Sequence, residues 1–197
     1  MTVQRDVVVK KLADIKAVGN EEGLIPAFNV LVNNLPAAFW NTFTVRMMEA
    51  APAERKQEME DALMHCANVC GYNTGYGIIT SKEFQDVVTP MVTEGEKDVL
   101  RGAYAVFTAW GWAKSGIAQI KEGERMVVRA MDYYEADMKP GYMMGFMVRG
   151  VSAAFFDLAY GEPYPNGGNT FRCEQVKGME VGDPFGEFVV TRTDSPS

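Results

Sequence analysis

One short run of the sequence holds most of the residues that could act as nucleophiles or soft ligands. The 197-residue chain has a single histidine and three cysteines, and His65, Cys66 and Cys70 fall within one six-residue run. An imidazole beside a thiol is a typical pairing of general base and nucleophile. The sequence therefore predicts that any catalysis by a thiol uses His65 with Cys66 or Cys70.

The same thiols could instead bind a metal ion. Cys66 and Cys70 are four residues apart, so on a helix both side chains project from one face. Cys173, much later in the sequence, would complete a three-sulfur set that, with His65, is of the kind that binds zinc or iron. The alternative is that Cys66 and Cys70 are small buried apolar side chains, because cysteine is among the most frequently buried residue types.

Rings and thioethers are abundant in this chain. It contains eleven Phe, eight Tyr, three Trp and thirteen Met residues. Flexible thioethers beside rigid rings can line an adaptable apolar pocket, although any single aromatic residue is more typical of an ordinary core. The predicted ligand-binding residues are Trp40, Phe43, Tyr76, Phe107, Trp110, Trp112, Met143, Phe146, Met147 and Arg149.

Two charged residues interrupt an otherwise apolar stretch. Arg149 and Asp157 lie two turns apart on nearly the same helix face, and neither belongs in a dry core without a partner. They could pair through an intermediary, pair with Glu174, or meet a polar group on a ligand, with Arg149 holding a carboxylate in the functional case. A structural ion pair at a helix edge is the main expectation. Glu135, after two tyrosines, is predicted to be a solvated strand end.

The periodicity of apolar residues predicts the elements that position these groups. Helices are expected at 5–18, 36–50 and 52–71, the last capped by Gly71, then from the Thr80 and Glu83 capping box to about Pro90, and at 96–110. A hairpin is predicted from 112–120 and 125–133, then a long helix at 142–160 and strands at 170–177 and 187–192. The order predicts an α+β fold in which an antiparallel sheet of about four strands packs against helices.

The same order suggests three parts. We expect an amino-terminal helical segment at 1–75, an α+β small-molecule-binding domain at 76–192 and a disordered tail at 193–197. No repeat or linker-like composition divides the chain.

The second unit resembles the vinyl reductase domain family. The resemblance is carried by Trp110-Gly111-Trp112, by the glycine-containing helix at 142–160 and by the closing segment Glu174…Gly182-Asp183-Pro184-Phe185-Gly186-Glu187-Phe188. This family is similar to the sensory domains of phenol-responsive activators and to Golgi transport subunits. The closing segment also looks similar to that of the aminothiazoline carboxylate hydrolases, so an enzyme is the alternative prediction.

The resemblance implies a zinc site in the closing segment, built from an acidic residue and cysteines. In this chain Lys177 and Gly186 stand where two of those thiols would be, and only Glu174, beside Cys173, remains. A lysine and a glycine cannot replace thiolates around zinc. The family zinc site is therefore expected to be degraded.

Composition limits the classes of function. The net charge is −7 and no basic cluster exceeds Lys10-Lys11, which disfavours nucleic-acid and membrane partners. An odd number of cysteines favours reduced thiols and a cytoplasmic location. We expect a homodimer that binds a small apolar or aromatic molecule. The alternatives are a hydrolase or lyase that acts on a small aromatic or heterocyclic acid through His65 and a thiol, and a structural dimerisation module.

Overall fold

The computed structural model describes residues 2–15, 18–33 and 35–193. The predicted disordered tail therefore lies outside the described residues except for Thr193. The helices and strands are α1 (Arg5–Leu12), β1 (Ile25–Ala27), β2 (Val30–Val32), α2 (Ala37–Ala50), α3 (Lys56–Thr80), α4 (Lys82–Val87), α5 (Glu96–Ala109), β3 (Ala113–Lys121), β4 (Arg125–Tyr133), α6 (Phe146–Tyr160), β5 (Phe171–Lys177) and β6 (Gly186–Arg192).

The main sheet confirms the predicted α+β fold. Its four strands are antiparallel in the order β3-β4-β6-β5. Val128 at the centre of β4 pairs with Ile117 on one side and with Phe188 on the other. Helices α5 and α6 pack against this sheet, and the rings of Phe107, Phe155 and their neighbours join the strand residues in one core. The hairpin, the long helix and the closing strands were each predicted within a few residues.

The longest helix runs past its predicted end. Gly71 does not cap α3, which continues to Thr80, because α6 crosses α3 at this point. A Cβ added at Gly71 would lie 2.8 Å from the Cα of Val151, and one at Gly150 would lie 2.4 Å from the Cβ of Ala67. The glycines thus allow two helix backbones to approach closely.

The next helix begins one residue later than its capping box predicted. Ser81 is the N-cap of α4, and its side chain accepts a hydrogen bond from the amide of Phe84 at 3.2 Å. Helix α4 ends at Val87, and a short 3₁₀ turn follows at Thr89–Met91.

The amino-terminal segment is not entirely helical, contrary to prediction. A short antiparallel hairpin joins β1 to β2, and its turn residues Phe28 and Asn29 have φ values of 48° and 59°. Positive φ at both central residues is typical of the type I′ turn, which joins two strands through a two-residue loop, and Asn is common in such turns. Phe28 is buried and its ring meets Trp110 edge to face at 4.6 Å, which fixes the hairpin against α5.

Within residues 2–15, 18–33 and 35–193, no helix is both long and apolar enough to cross a bilayer.

Candidate ligand-binding cavity

A cavity of about 490 Å³ lies between the hairpin β1–β2, α2 and the helices α3, α5 and α6. The loop between α5 and β3 and the turn after β4 also contribute to its wall. Its lining residues are mostly apolar or aromatic: Phe28, Val30, Leu31, Val32, Asn33, Leu35, Ala37, Trp40, Cys70, Gly71, Thr74, Ile78, Val106, Phe107, Trp110, Gly111, Trp112, Tyr134, Val151 and Phe155.

Loose packing of α2 leaves this space open. Only Asn41 and Met48 of α2 are buried, and Asn41 holds the helix in place by donating a hydrogen bond from Nδ2 to the carbonyl oxygen of Tyr134 at 2.8 Å. The aromatic face of α2 is largely exposed. Phe39 and Phe43 are each more than two-fifths exposed, while Trp40 reaches the cavity wall.

Stacked rings form the inner wall. Phe107 and Trp112 are nearly parallel, with ring centroids 5.7 Å apart, and Phe155 meets Phe107 edge to face at 6.0 Å. Tyr134 meets Trp112 at 6.2 Å with an interplanar angle of 68°. Because each ring is held by another, this wall offers flat apolar faces at fixed positions.

Few polar groups face the cavity. They are the side chains of Asn33, Cys70, Thr74 and Tyr134 and the indole nitrogens of the tryptophans, and none of the described lining residues carries a charge. The Cys70 thiol lies 3.9 Å from the Thr74 hydroxyl, one helical turn away. Burial, the nearby Glu135 and Cys70 raise the pKa of Tyr134 well above its usual value, so its hydroxyl stays protonated.

Four of the predicted ligand-binding residues line this cavity: Trp40, Phe107, Trp110 and Trp112. Six do not: Phe43, Tyr76, Met143, Phe146, Met147 and Arg149. Tyr76 stacks on Tyr164 at 3.8 Å on the outer side of α3. Phe146 packs in a separate cluster with Met48 and Met144. The hairpin residues of the wall were missed because no strand was predicted there.

Arg149 lies in a structural ion pair, as expected, but its partner is neither Asp157 nor Glu174. Arg149 lies 3.8 Å from Glu60 and its Nε donates to the carbonyl oxygen of Cys173 at 3.4 Å. Asp157 accepts hydrogen bonds from the amides of Phe171 at 2.9 Å and Asn169 at 3.0 Å. Burial raises the pKa of Asp157 to about 6, against the effect of these hydrogen bonds. Both side chains thus bind partners within the protein and stabilise its packing.

The structure separates the residues predicted to use thiol chemistry. Cys66 and His65 are exposed on α3 and do not line the cavity, whereas Cys70 does. Cys173 is buried in β5, and burial raises its pKa to about 12. Cys66 and Cys70 lie one turn apart on α3, but the described part of the chain holds no group of three His, Cys, Asp or Glu side chains suited to a metal ion.

The segment expected to carry a family zinc site does not fit zinc. The Lys177 ammonium lies 4.9 Å above the ring of Phe185, and Glu174 is an exposed partner of Arg172 at 3.8 Å. A side chain at Gly186 would meet the Tyr133 ring, since a Cβ there would lie 2.7 Å from Tyr133 Cε1.

A hydrogen-bonded cluster occupies this region instead. The Tyr133 hydroxyl donates to Glu180 and accepts from the Met179 amide at 3.2 Å. The other oxygen of Glu180 accepts from the Met144 amide at 2.9 Å and from Gln175 Nε2 at 2.8 Å. Polar side chains therefore join β4, β5 and the loop before α6 without thiolates.

Glu135 was also mispredicted, because it is buried and not a solvated strand end. Its two oxygens accept hydrogen bonds from the amides of Met147 and Val148 at the start of α6. Burial raises the pKa of Glu135 to about 8, although these hydrogen bonds oppose the rise. The sequence pattern that could have indicated this capping role is a carboxylate shortly before an apolar helix whose N-cap residue has no side chain.

Comparison with known proteins supports the fold and gives no family. No family model matches the sequence, and no curated protein matches it. The phenol-responsive sensory domain of the transcription activator PoxR, solved with phenol, has a TM-score of 0.72 at 12% identity, over 100% of this chain and 94% of that one. A trafficking protein particle complex subunit 3 from Naegleria fowleri, covalently bound to palmitic acid, has a TM-score of 0.52 at 14% identity, over 82% of this chain and 95% of that one. The predicted similarity to sensory domains of phenol-responsive activators is thus confirmed for the fold, which this chain shares with the PoxR domain.

Proposed function

We propose that this protein binds a small aromatic or apolar molecule in the cavity between α2, α3 and the hairpin β1–β2. The observation that carries the proposal is the cavity itself, about 490 Å³ lined mostly by apolar side chains. An apolar cavity of about 150 Å³ is large enough for benzene, so this one has room for a substituted ring. The phenol in the PoxR structure is a ligand of this kind.

Direct titration tests this proposal. Toluene and phenol serve as probes, with heat of binding and tryptophan fluorescence as readouts, because Trp110 and Trp112 line the cavity. Thr74→Phe places a ring inside the cavity and is expected to abolish binding. Val69→Phe, on an exposed position of the same helix, is the matched control and should bind as the parent does. Absence of binding by the parent protein would refute the proposal.

A second occupant is favoured by the position of one thiol. Cys70 is the only cysteine among the described lining residues, and the trafficking subunit of similar fold carries covalently bound palmitic acid. An acyl group could pass from a coenzyme A thioester to the Cys70 sulfur, forming a new thioester and releasing the coenzyme A thiol. A mass increase of one palmitoyl group, lost in Cys70→Ser and kept in Cys66→Ser, would support this occupant over a free aromatic ligand.

The hydrolase or lyase alternative has less support. It requires His65 to serve Cys66 or Cys70 at a bound substrate, and only Cys70 faces the cavity. His65 forms no hydrogen bond or ion pair with the described residues.

We further propose that the protein is a cytoplasmic homodimer and that it is of the vinyl reductase type. In this proposal, helix α2 changes position when the ligand binds. Trp40 lines the cavity while Phe39 and Phe43 on the same helix are exposed, so a ligand that moves Trp40 also moves this aromatic face. Contiguous exposed rings are typical of interaction surfaces.

Light scattering after chromatography, with and without phenol, tests whether the protein is a dimer and whether the ligand changes that state. A Phe39→Ser and Phe43→Ser double variant is expected to be monomeric, and a dimer in that variant would contradict the role of α2.

A further inference from the structure

We infer that Tyr134 determines the specificity of the cavity by donating a hydrogen bond to a hydroxyl or carbonyl oxygen on an uncharged aromatic ligand. This inference rests on the proposed binding function and names the ligand class: neutral phenols and aryl carbonyl compounds, in preference to pure hydrocarbons and to aromatic acids.

The hydroxyl of Tyr134 has no hydrogen-bond partner among the described residues. Its backbone carbonyl accepts from Asn41 at 2.8 Å and its ring contacts Trp112, so both ends of the residue are fixed. The neighbouring tyrosine differs, since the Tyr133 hydroxyl donates to Glu180. Tyr134 is half-buried in the cavity wall, so a ligand oxygen can replace solvent as the acceptor of its hydroxyl proton.

Two further polar groups are placed to complete the recognition. Cys70 and Thr74 line the same cavity from successive turns of α3, and Cys70 is close enough to Tyr134 to affect its pKa. A ligand hydroxyl has one proton to donate and lone pairs to accept with. It can accept from Tyr134 and donate to the Thr74 hydroxyl or the Cys70 sulfur, while the aromatic ring packs on Trp112 and Phe107.

The absence of charged side chains among the described lining residues disfavours ionised ligands. The described lining residues carry no cation that could neutralise a carboxylate and no anion for an ammonium. Transfer of an unpaired charge from water into such a site is strongly unfavourable. Burial keeps Tyr134 protonated, so it donates to a neutral oxygen at physiological pH. A phenol should therefore bind better than toluene, and benzoate should not bind.

Calorimetric titration of phenol, toluene and benzoate into the parent protein and two variants tests the inference. Tyr134→Phe removes only the proposed donor, and Tyr164→Phe removes a surface hydroxyl that donates to Asn73. We expect Tyr134→Phe to weaken phenol binding by about tenfold and to leave toluene binding unchanged or stronger, with no effect of Tyr164→Phe on either ligand.

The outcomes separate the two claims. Equal effects of Tyr134→Phe on phenol and toluene, or no effect on either, would overturn the role of Tyr134 while the binding function stands. Tight binding of benzoate would overturn the charge argument. If none of the three molecules binds the parent protein, the proposed function fails and this inference fails with it. Thermal unfolding of each variant confirms that a loss of binding is not a loss of folding.

Discussion

The Glu135 carboxylate caps the amino terminus of α6 through Met147. Glu135 Oε1 accepts from the Met147 amide at 2.8 Å, and its second oxygen accepts from the Val148 amide at 3.2 Å. The N-cap position of α6 is Gly145, which has no side chain to make this bond. A buried acid from the turn after β4 therefore replaces a local cap and ties the sheet to the helix that covers it.

This arrangement predicts that stability falls as pH rises. Burial raises the pKa of Glu135 from about 4.5 to about 8, so between these values the folded chain keeps a proton that the unfolded chain has lost. The free energy of unfolding then decreases with pH across this interval. Nearby Glu180 adds to the rise and Arg149 opposes it. Asp157, raised to about 6, adds to the trend at the acidic end.

Glu135→Gln removes the titration, so the stability of this variant should depend less on pH between about 4.5 and 8. Urea unfolding at several pH values measures the slope. Glu54→Gln, at an exposed position, is the control and should keep the parental slope. A parental slope in Glu135→Gln would show that another group is responsible.

The opposite dependence of stability on pH is expected from Asp98, whose side chain is fully buried. Burial alone would raise its pKa, but hydrogen bonds from Thr93, Arg101 and Glu94 outweigh burial and hold the pKa well below its usual range. Such a group stabilises the fold above its unfolded pKa of about 3.8, and this contribution is lost as pH falls.

We expect Asp98→Asn to lower the free energy of unfolding by about 1–3 kcal/mol at pH 7 and to reduce the further loss in acid. The matched control is Asp86→Asn, which removes an exposed ion pair with Lys82 and should change stability little, because solvent screens such pairs. Denaturant unfolding at pH 7 and pH 3 gives both quantities. Equal effects of the two substitutions would contradict the importance of the buried site.

The crossing of α3 and α6 predicts a steric effect. A Cβ at Gly150 would lie 2.4 Å from the Cβ of Ala67 and 2.7 Å from the amide nitrogen of Asn68, and a helix backbone cannot yield as a flexible side chain can. Gly150→Ala should therefore lower stability by about 1–3 kcal/mol, despite the better helix propensity of alanine. Gly116→Ala, in β3 with no atom within 4 Å, should be nearly neutral. Thermal unfolding compares the two, and a neutral Gly150→Ala would mean that the helices can move apart.

The sequence predicted those parts of the fold that depend on local periodicity. The hairpin β3–β4 and helix α5 follow from alternation and from helical spacing, and both were placed within one or two residues. Gly71 was misinterpreted as a cap because a cap and a close helix contact have the same local signature, and only the position of Val151 distinguishes them. Glu135 was misjudged for the same reason: its burial depends on α6, which lies further along the chain.

The cavity was predictable in kind and only partly in residues. An excess of rings predicted a pocket, and Trp110 and Trp112, named as members of the aromatic set, line the cavity. Arg149 was chosen because a charge in an apolar helix has to meet a partner, but sequence cannot show that Glu60 on α3 is near enough to provide one. The hairpin wall was missed because strands of three residues carry almost no periodic signal.

The contact of Tyr133 with Glu180 predicts a fold that does not depend on zinc. Tyr133→Phe removes the hydroxyl that donates to Glu180 and accepts from the Met179 amide, leaving a buried carboxylate with one donor fewer. We expect a loss of about 1–3 kcal/mol in the free energy of unfolding. Tyr76→Phe, at an exposed ring, should change little.

A chelator provides the complementary measurement. If Tyr133, Glu180 and Gln175 hold β4, β5 and the loop before α6 together by hydrogen bonds alone, EDTA should leave the melting temperature of the parent protein unchanged. A structural zinc site would behave differently, because its binding energy is folding energy and its removal lowers the melting temperature. A large decrease with EDTA, together with one equivalent of zinc in the purified protein, would show that a metal holds this region, because the hydrogen bonds of the Tyr133 cluster are insensitive to chelation.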